Sequence, residues 1–448
     1  MSSVHIGRRM SRRDFLARSG TLAAAMTSVP LLEACFGSGT SNTPSGGGGS
    51  GTVTVWDIQT GQAQDLLNTN ATRFASAHSK IRVTYNWFQN DPYKQKLQVA
   101  MGAGNPPDVW MGWGGGVLKS YVDAGDVQDL SSLMSGSFKE RFFPQVVDAV
   151  TIDGKIYGVP YTGIQPVVLE YNKSLFSRYG VKPPKTWSDL LSTVRTLKQA
   201  GVIPVALAGQ STWTYLMYEE YLVDRIGGPG AFQGVLSGKS NAWSHPAIIE
   251  ANTRIQELVD AGAFGDNFAG VNYDTGQSTA LLTTEKAAMH LMGVWDFNQI
   301  LSANPGFLDR LGLATFPAID GGKGDPKNAV GNLANFYSIS KASKAKDAAT
   351  TFVSAASLDS YIVDHYINDL AWVPPVNGIE SKLNASKQAG FLNFIYNMSK
   401  NAPHFQLSWD QALPPQPAAT LLTNLSQLFL KQITPQQFSD NMNKTLGG

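Results

Sequence analysis

Apolar and polar positions along the chain switch repeatedly between two periods. Thr52-Val53-Thr54-Val55-Trp56 alternates as a strand does, and residues 62–78 repeat apolar positions at helical spacing through Ala63, Leu66, Leu67, Ala71 and Phe74. Residues 81–85 alternate again. Asp91-Pro92 then predicts an N-cap followed by proline at the first helical position, opening a helix through Tyr93, Leu97 and Met101 that Gly102 and Gly104 close. A short strand is expected at residues 108–111. This βαβαβ order predicts α/β architecture built on mainly parallel sheets flanked by helices.

The rhythm resumes at residues 155–160, read as one strand ending in Pro160, and again at residues 167–171. Thr186-Trp187-Ser188-Asp189 sets an acid three residues after a threonine, a capping-box variant that starts a helix running to about Ala200, where Gly201 ends it. Another strand is expected over residues 202–207. Further helices should start near Ser211, Ser244, Asp347, Gln416 and Thr434. Residues 52–448 show no internal repeat and no membrane-spanning stretch. Two α/β domains are the simplest packing of such a length.

Composition narrows the function classes. Of 448 residues 15% are charged, against about 25% in an average globular chain, while 43% are hydrophobic. The body should therefore be ordered, with a neutral, amide-rich surface. Lys plus Arg (35) nearly balance Asp plus Glu (34), with no basic run beyond the N-terminus, which argues against nucleic acid as a partner.

The N-terminus reads as an address. Arg8, Arg9, Arg12, Arg13 and Arg18 precede the thirteen-residue apolar stretch 20–32, too short to span a bilayer as a helix. Ser11-Arg12-Arg13-Asp14-Phe15-Leu16 resembles the twin-arginine export motif. The one cysteine, Cys35, ends Leu32-Glu33-Ala34-Cys35, which resembles a bacterial lipobox. That resemblance implies a signal peptide over residues 1–34 and lipidation of Cys35, giving a lipid-anchored protein on the extracytoplasmic face of the cell membrane. Loss of the leader would leave 30 basic and 32 acidic residues. Residues 36–51, rich in Gly and Ser, are expected to form a flexible tether.

Catalytic and metal signatures are sparse. The six histidines never fall at ligand spacing, the nucleophile elbow is missing, and Gly234 to Ser240 has one residue too few for a phosphate loop. No metal, no cofactor and no catalytic residue is expected. A glycosidase needs only two carboxylates across a cleft, so Asp57, Glu219, Asp296 and Asp410 keep a glycoside-acting enzyme open as an alternative.

The segments expected at strand ends carry the clearest signal. Residues 57–62, 86–90, 112–116, 161–165, 210–215, 294–299, 332–335, 371–373 and 408–411 contain neither Lys nor Arg, yet hold six of the ten tryptophans beside Gln, Asn, Thr and a few Asp. In open α/β sheets ligands bind beyond the carboxyl ends of strands. An anionic ligand would call for Arg or Lys, so a neutral one is expected. Indole faces against C–H patches, with amides that donate and accept, suit a neutral sugar. A quaternary ammonium of the betaine or choline type in an aromatic cage is the alternative. Candidate ligand-binding residues are Asp57, Gln62, Trp113, Gln165, Trp213, Tyr215, Trp295, Asp296, Asn335, Trp372, Trp409 and Asp410. Trp56, Trp110 and Trp187, in or beside regular elements, are expected to be structural.

Five stretches together resemble a known family: residues 93–97 with 104–109, 154–160, 170–173, 183–190 and 293–295. Their order and spacing resemble the extracellular solute-binding proteins of ABC transporters, family 1, the carbohydrate-binding group that includes maltose-binding proteins. The resemblance implies the two-lobed type II periplasmic-binding-protein fold, with a ligand cleft and a hinge between the lobes, and delivery of a sugar to a membrane permease by a protein expected to be a monomer. The expected cuts put residues 52–161 plus 312–345 in the N-terminal lobe and 162–311 plus 346–448 in the C-terminal lobe. By position, Trp113 matches a stacking aromatic of the first lobe, Gln165 a hydroxyl-binding glutamate, Trp213 and Tyr215 an aromatic turn, and Trp295 a Gly-x-Trp platform. Gly114-Gly115-Gly116 and Gln165 replace charged residues of the maltose-binding members, which argues against maltose itself.

Overall fold

The computed structural model describes residues 50–446. The expected signal peptide, the twin-arginine motif, Cys35 and nearly all of the tether lie outside the described residues. In chain order the strands are β1 (Gly51–Asp57), β2 (Ile81–Trp87), β3 (Val109–Gly112), β4 (Thr151–Ile152), β5 (Lys155–Ile156), β6 (Val159–Pro160), β7 (Gln165–Asn172), β8 (Ile203–Ala206), β9 (Ala287–Gly293), β10 (Leu311–Ala314), β11 (Ala329–Asn332), β12 (Phe336–Ile339) and β13 (Phe405–Leu407). The strand expected over residues 155–160 is therefore two: β5 forms a small hairpin with β4, and β6 joins a larger sheet.

That first sheet runs in the order β2-β1-β3-β12-β6. Val53 and Val55 alternate inward on β1 beneath the helix Gly61–Ala77, which buries Ala63, Leu67, Ala71 and Phe74. The second sheet runs β13-β11-β7-β9-β8, with β10 beside β7. The expectation of mainly parallel sheets is corrected here: both are mixed. β1 lies parallel to β2 and β3, but β12 is antiparallel to both β3 and β6, and β7 is antiparallel to β9, β10 and β11. The physical reason is that β7 and β12 each continue a chain arriving straight from the other sheet, without the helical crossover that parallel neighbours need.

Two apolar clusters follow from this. The first gathers β1, β3, β6, β12 and their helices. The second gathers β7, β9 and the helices Trp187–Gln199, Leu216–Gly227, Pro246–Ala261 and Pro415–Phe429. The capping boxes at Thr186 with Asp189 and at Thr434 with Gln437 both form. Asp91, by contrast, is not a cap: the helix Asn90–Gly102 begins before it, and Asp91 sits in its first turn.

The lobe cuts differ from those expected. Residues 346–400 pack on the first cluster, not the second: Phe352, in the helix Lys346–Ala356, meets Phe74 edge-on with ring centroids 5.3 Å apart. Conversely β10 and β11, residues 311–332, pair with β7 in the second sheet. Hydrophobic periodicity shows that a helix has an apolar face, but not which of two sheets receives it. The chain passes between the sheets at residues 161–164, 333–335 and 401–404. Among the described residues no helix is long and apolar enough to cross a membrane.

Candidate functional site

Two of the crossing segments run side by side. Gln165 pairs with Asn332 in register, the Tyr161 amide donates to the Asn335 carbonyl (3.0 Å), and the Asn335 amide donates to Thr162 Oγ1 (2.7 Å). A side chain at Gly331, held at φ +134°, would run into the Gln165 carbonyl, so this close approach requires glycine. The two segments floor a cavity of about 540 Å³ between the sheets, within the ~300–1,000 Å³ typical of small-molecule sites.

Eight sequence-predicted residues border this cleft: Gln62, Trp113, Gln165, Trp213, Trp295, Asn335, Trp372 and Asp410. Trp113 follows β3 and enters from the first sheet's side, its ring held edge-on by Tyr93 at 6.3 Å. Trp213 and Trp295 enter from the second, with ring centroids 6.0 Å apart, and Tyr273 meets Trp213 edge-on at 5.2 Å. Gly293 explains the Gly-x-Trp pattern: a Cβ there would collide with the Trp295 ring, which folds back over the end of β9. Indole Nε1 of Trp213 and Trp372, and the amide oxygens of Asn298, Asn332 and Asn335, are buried at the cleft with no protein partner. Such groups call for hydrogen bonds from whatever occupies the cavity.

Four predicted site residues lie elsewhere. Asp57 falls on the inward parity of β1, fully enclosed, and accepts from Tyr161 Oη (2.9 Å), Tyr337 Oη (2.7 Å) and the amides of Ile58 and Gln59. Burial pushes its carboxyl up to about 6 against the pull of those hydrogen bonds. It shapes the turn whose Ile58, Gln59 and Thr60 do border the cleft. Tyr215 turns away from Trp213 and stacks on Phe429 at 4.3 Å. Trp409 stacks on Phe232 at 3.9 Å inside the second cluster, leaving its neighbours Asp410 and Gln411 to face the cavity. Asp296 is wholly buried beneath Trp295, accepting from Thr279 Oγ1 at 2.6 Å. The structural reading of Trp110 and Trp187 agrees with their burial.

The carboxylate-pair alternative loses three of its four groups by this geometry. Asp57, Asp296 and Glu219 have no exposure, and burial holds the Glu219 carboxyl well above the usual range. Of the four, Asp410 alone borders the cleft, where Asp274 is the other carboxylate in the lining.

One cleft residue escaped the sequence reading in kind. Lys94 reaches in from the first turns of the helix Asn90–Gly102, 5.1 Å from the Trp113 ring centroid, and pairs with Asp410 at 2.7 Å. The expectation of a cleft without cations fails there, since the loops lack Lys and Arg but a helix beside one does not. The signal was its place just after the Asn86–Asn90 loop, where a helix N-terminus meets a strand's carboxyl end. Met217, Tyr273, Asn298 and Gln299 also border the cleft.

Among the described residues, only Glu170, His290 and Asp296 bring three metal-type donors within 4.8 Å of one another. They come from three elements, so no sequence spacing announces them. His290 Nδ1 lies 3.2 Å from Asp296 Oδ2 and 3.4 Å from Glu170 Oε2. Burial alone would push the imidazolium down, but its hydrogen bond to Asp296 and the Glu170 carboxylate close by outweigh this and hold it up at about 9. The ring is thus the cation of this cluster.

Known proteins place the chain. It is 25% identical over 250 residues to an uncharacterized ABC transporter extracellular-binding protein of Pyrococcus horikoshii, covering 55% of this chain and 56% of that one; it thus spans little more than half the length of that curated relative. A structure from work on xylan utilization by the thermophilic bacterium Caldanaerobius polysaccharolyticus superposes with a TM-score of 0.80 at 30% identity, covering 88% of this chain and all of that one. A chitin oligosaccharide binding protein superposes with a TM-score of 0.80 at 26% identity, covering 89% and 98%. These neighbours share the two-lobed arrangement of sheets about a cleft. The family model described as bacterial extracellular solute-binding protein matches residues 59–361, and the chain belongs to that family.

Proposed function

We propose that this protein is the extracytoplasmic receptor of an ABC importer, binding a neutral mono- or oligosaccharide in the cleft and presenting it to the membrane permease. One observation carries the reading: four tryptophans and a set of unpartnered amides line the cavity, and its lysine is neutralised by Asp410. Flat indoles cover sugar C–H faces, and amides serve hydroxyls in either direction. The xylan-related structure and the chitin oligosaccharide binding protein support an oligosaccharide in particular. The protein acts by binding and closing, with no bond made or broken, and Cys35 tethers it to the membrane as a lipoprotein.

A thermal-shift screen of the purified protein against xylotriose, N,N′-diacetylchitobiose, stachyose, simple hexoses, glycine betaine, choline and phosphorylated sugars tests this. A ligand at 100 times its dissociation constant adds about 2.7 kcal/mol to stability. A shift confined to neutral sugars is expected; a shift with betaine or choline alone, or turnover of a glycoside, would overturn the reading.

A further inference from the structure

We propose that His290 is a positioning residue: clamped between Glu170 and Asp296, it locks the Trp295 wall of the cleft to the central strands of the second sheet. Glu170 on β7 and His290 on β9 stand directly opposite in register, so both side chains leave the same face of the sheet. Asp296 descends to meet them from the start of the helix Asp296–Ala303. All three are fully enclosed. Asp296 presents one oxygen to His290 and the other to Thr279 Oγ1, and Thr279 itself reaches Gln299 Oε1 at 3.4 Å.

What surrounds Asp296 is the ligand-facing wall. Trp295 precedes it, Asn298 and Gln299 follow on the next turn, and Thr279 is its hydrogen-bond donor; all four border the cavity. Two buried carboxylates this close repel unless a cation or a proton separates them. The neighbouring strands β8 and β10 and the helix Gln277–Thr283 carry no titratable side chain, and Tyr273 is the remaining ionisable group facing the pair. Among the described residues, His290 is therefore the one cation that faces them. Burial raises the Glu170 carboxyl, so a proton there and the imidazolium together balance the pair. Removing His290 takes from Asp296 both its ring partner and that positive charge, which loosens Asp296 and the helix it begins from the sheet.

This inference rests on the sugar-receptor reading, and two readouts separate their failures. The first is hydrogen exchange of the ligand-free protein, which needs no sugar. In His290→Gln, amides of residues 294–303 should exchange at least tenfold faster, with residues 113–123 unchanged. The second is the dissociation constant for whichever of xylotriose, N,N′-diacetylchitobiose or stachyose the wild type binds, expected to rise tenfold or more. Should His290→Gln fail to fold, Glu170→Gln/His290→Gln removes the repulsion with the cation and should recover the fold and most of the local protection. Exchange in residues 294–303 that matches wild type overturns the positioning role. So does a loss of protection spread evenly over the chain, or stabilisation by Zn²⁺ that His290→Gln abolishes, which would make the cluster a metal centre. If no sugar binds while the local exchange changes as expected, it is the receptor reading that fails.

Discussion

Lys94 and Asp410 meet at 2.7 Å across the cleft, one from a helix of the first cluster and the other from a short helix rooted in the second by Trp409. Gln411 Nε2 donates to the same carboxylate oxygen at 2.8 Å, and the Lys94 ammonium lies over Trp113. The pair balances the charge of Lys94 and bridges the two halves of the structure on either side of the cleft, whose lining also holds Asp274.

Asp410→Asn should leave Lys94 as an unpaired ammonium beside the ligand. Affinity for neutral sugars is expected to fall about tenfold, roughly 1.4 kcal/mol, while binding of a uronic acid such as galacturonate improves. Calorimetry of the variant against galactose and galacturonate checks both directions.

Trp113 and Trp295 differ in how far they are woven into the core, so their truncations should separate. Trp113 is 9% exposed and packs on Tyr93. Trp113→Ala should therefore lower both affinity and ligand-free stability, the latter by about 3 kcal/mol. Trp295 is only partly buried, and Trp295→Ala should cost at least tenfold in affinity with a small change in the ligand-free melting temperature. Equal stability losses in the two variants would show that Trp295 is a core residue.

Tyr215→Phe offers the sharpest contrast between sequence position and tertiary placement. The Tyr215 hydroxyl is buried without a partner and the ring stacks on Phe429, away from the cavity. Its removal should leave sugar affinity within twofold of wild type and leave stability unchanged or slightly higher, since an unsatisfied polar group goes with it. A tenfold affinity loss would put this residue back in the site.

Ligand-free stability should fall as pH rises from about 5 to 9. His290 is held up at about 9, so its contribution is complete below its unfolded value near 6.5 and disappears as pH climbs through 9. Asp57 is raised to about 6, and Glu170, Glu219 and Glu220 are raised by burial. Between its ordinary and its raised value each carboxyl binds more proton in the folded than in the unfolded state, so these groups act in the same direction as His290. Melting temperatures across this range check the sign, and a maximum near pH 9 would contradict it.

Local chemistry determined much of this protein. The period-two and period-3.6 runs predicted β1, β2, β3, β7 and the helix after β1 to within a few residues, and Thr186 with Asp189 marked a helix start that forms as written. Loop composition alone put tryptophans and amides beside the cleft, because residues at strand ends sample it whatever the details of packing. Only the tertiary structure decided which of those residues face it. Trp213 and Tyr215 are two positions apart on one turn, and so on opposite sides of it; Asp57 shares the inward parity of Val53 and Val55; Trp409 finds a flat partner in Phe232. The assignment of residues 346–400 to the first lobe, the reach of Lys94 into the cleft and the meeting of Glu170, His290 and Asp296 each depend on contacts between segments far apart in the chain. Sequence periodicity specifies that a face is apolar or that a carboxylate exists. Which partner meets it is set by how the sheets and helices pack.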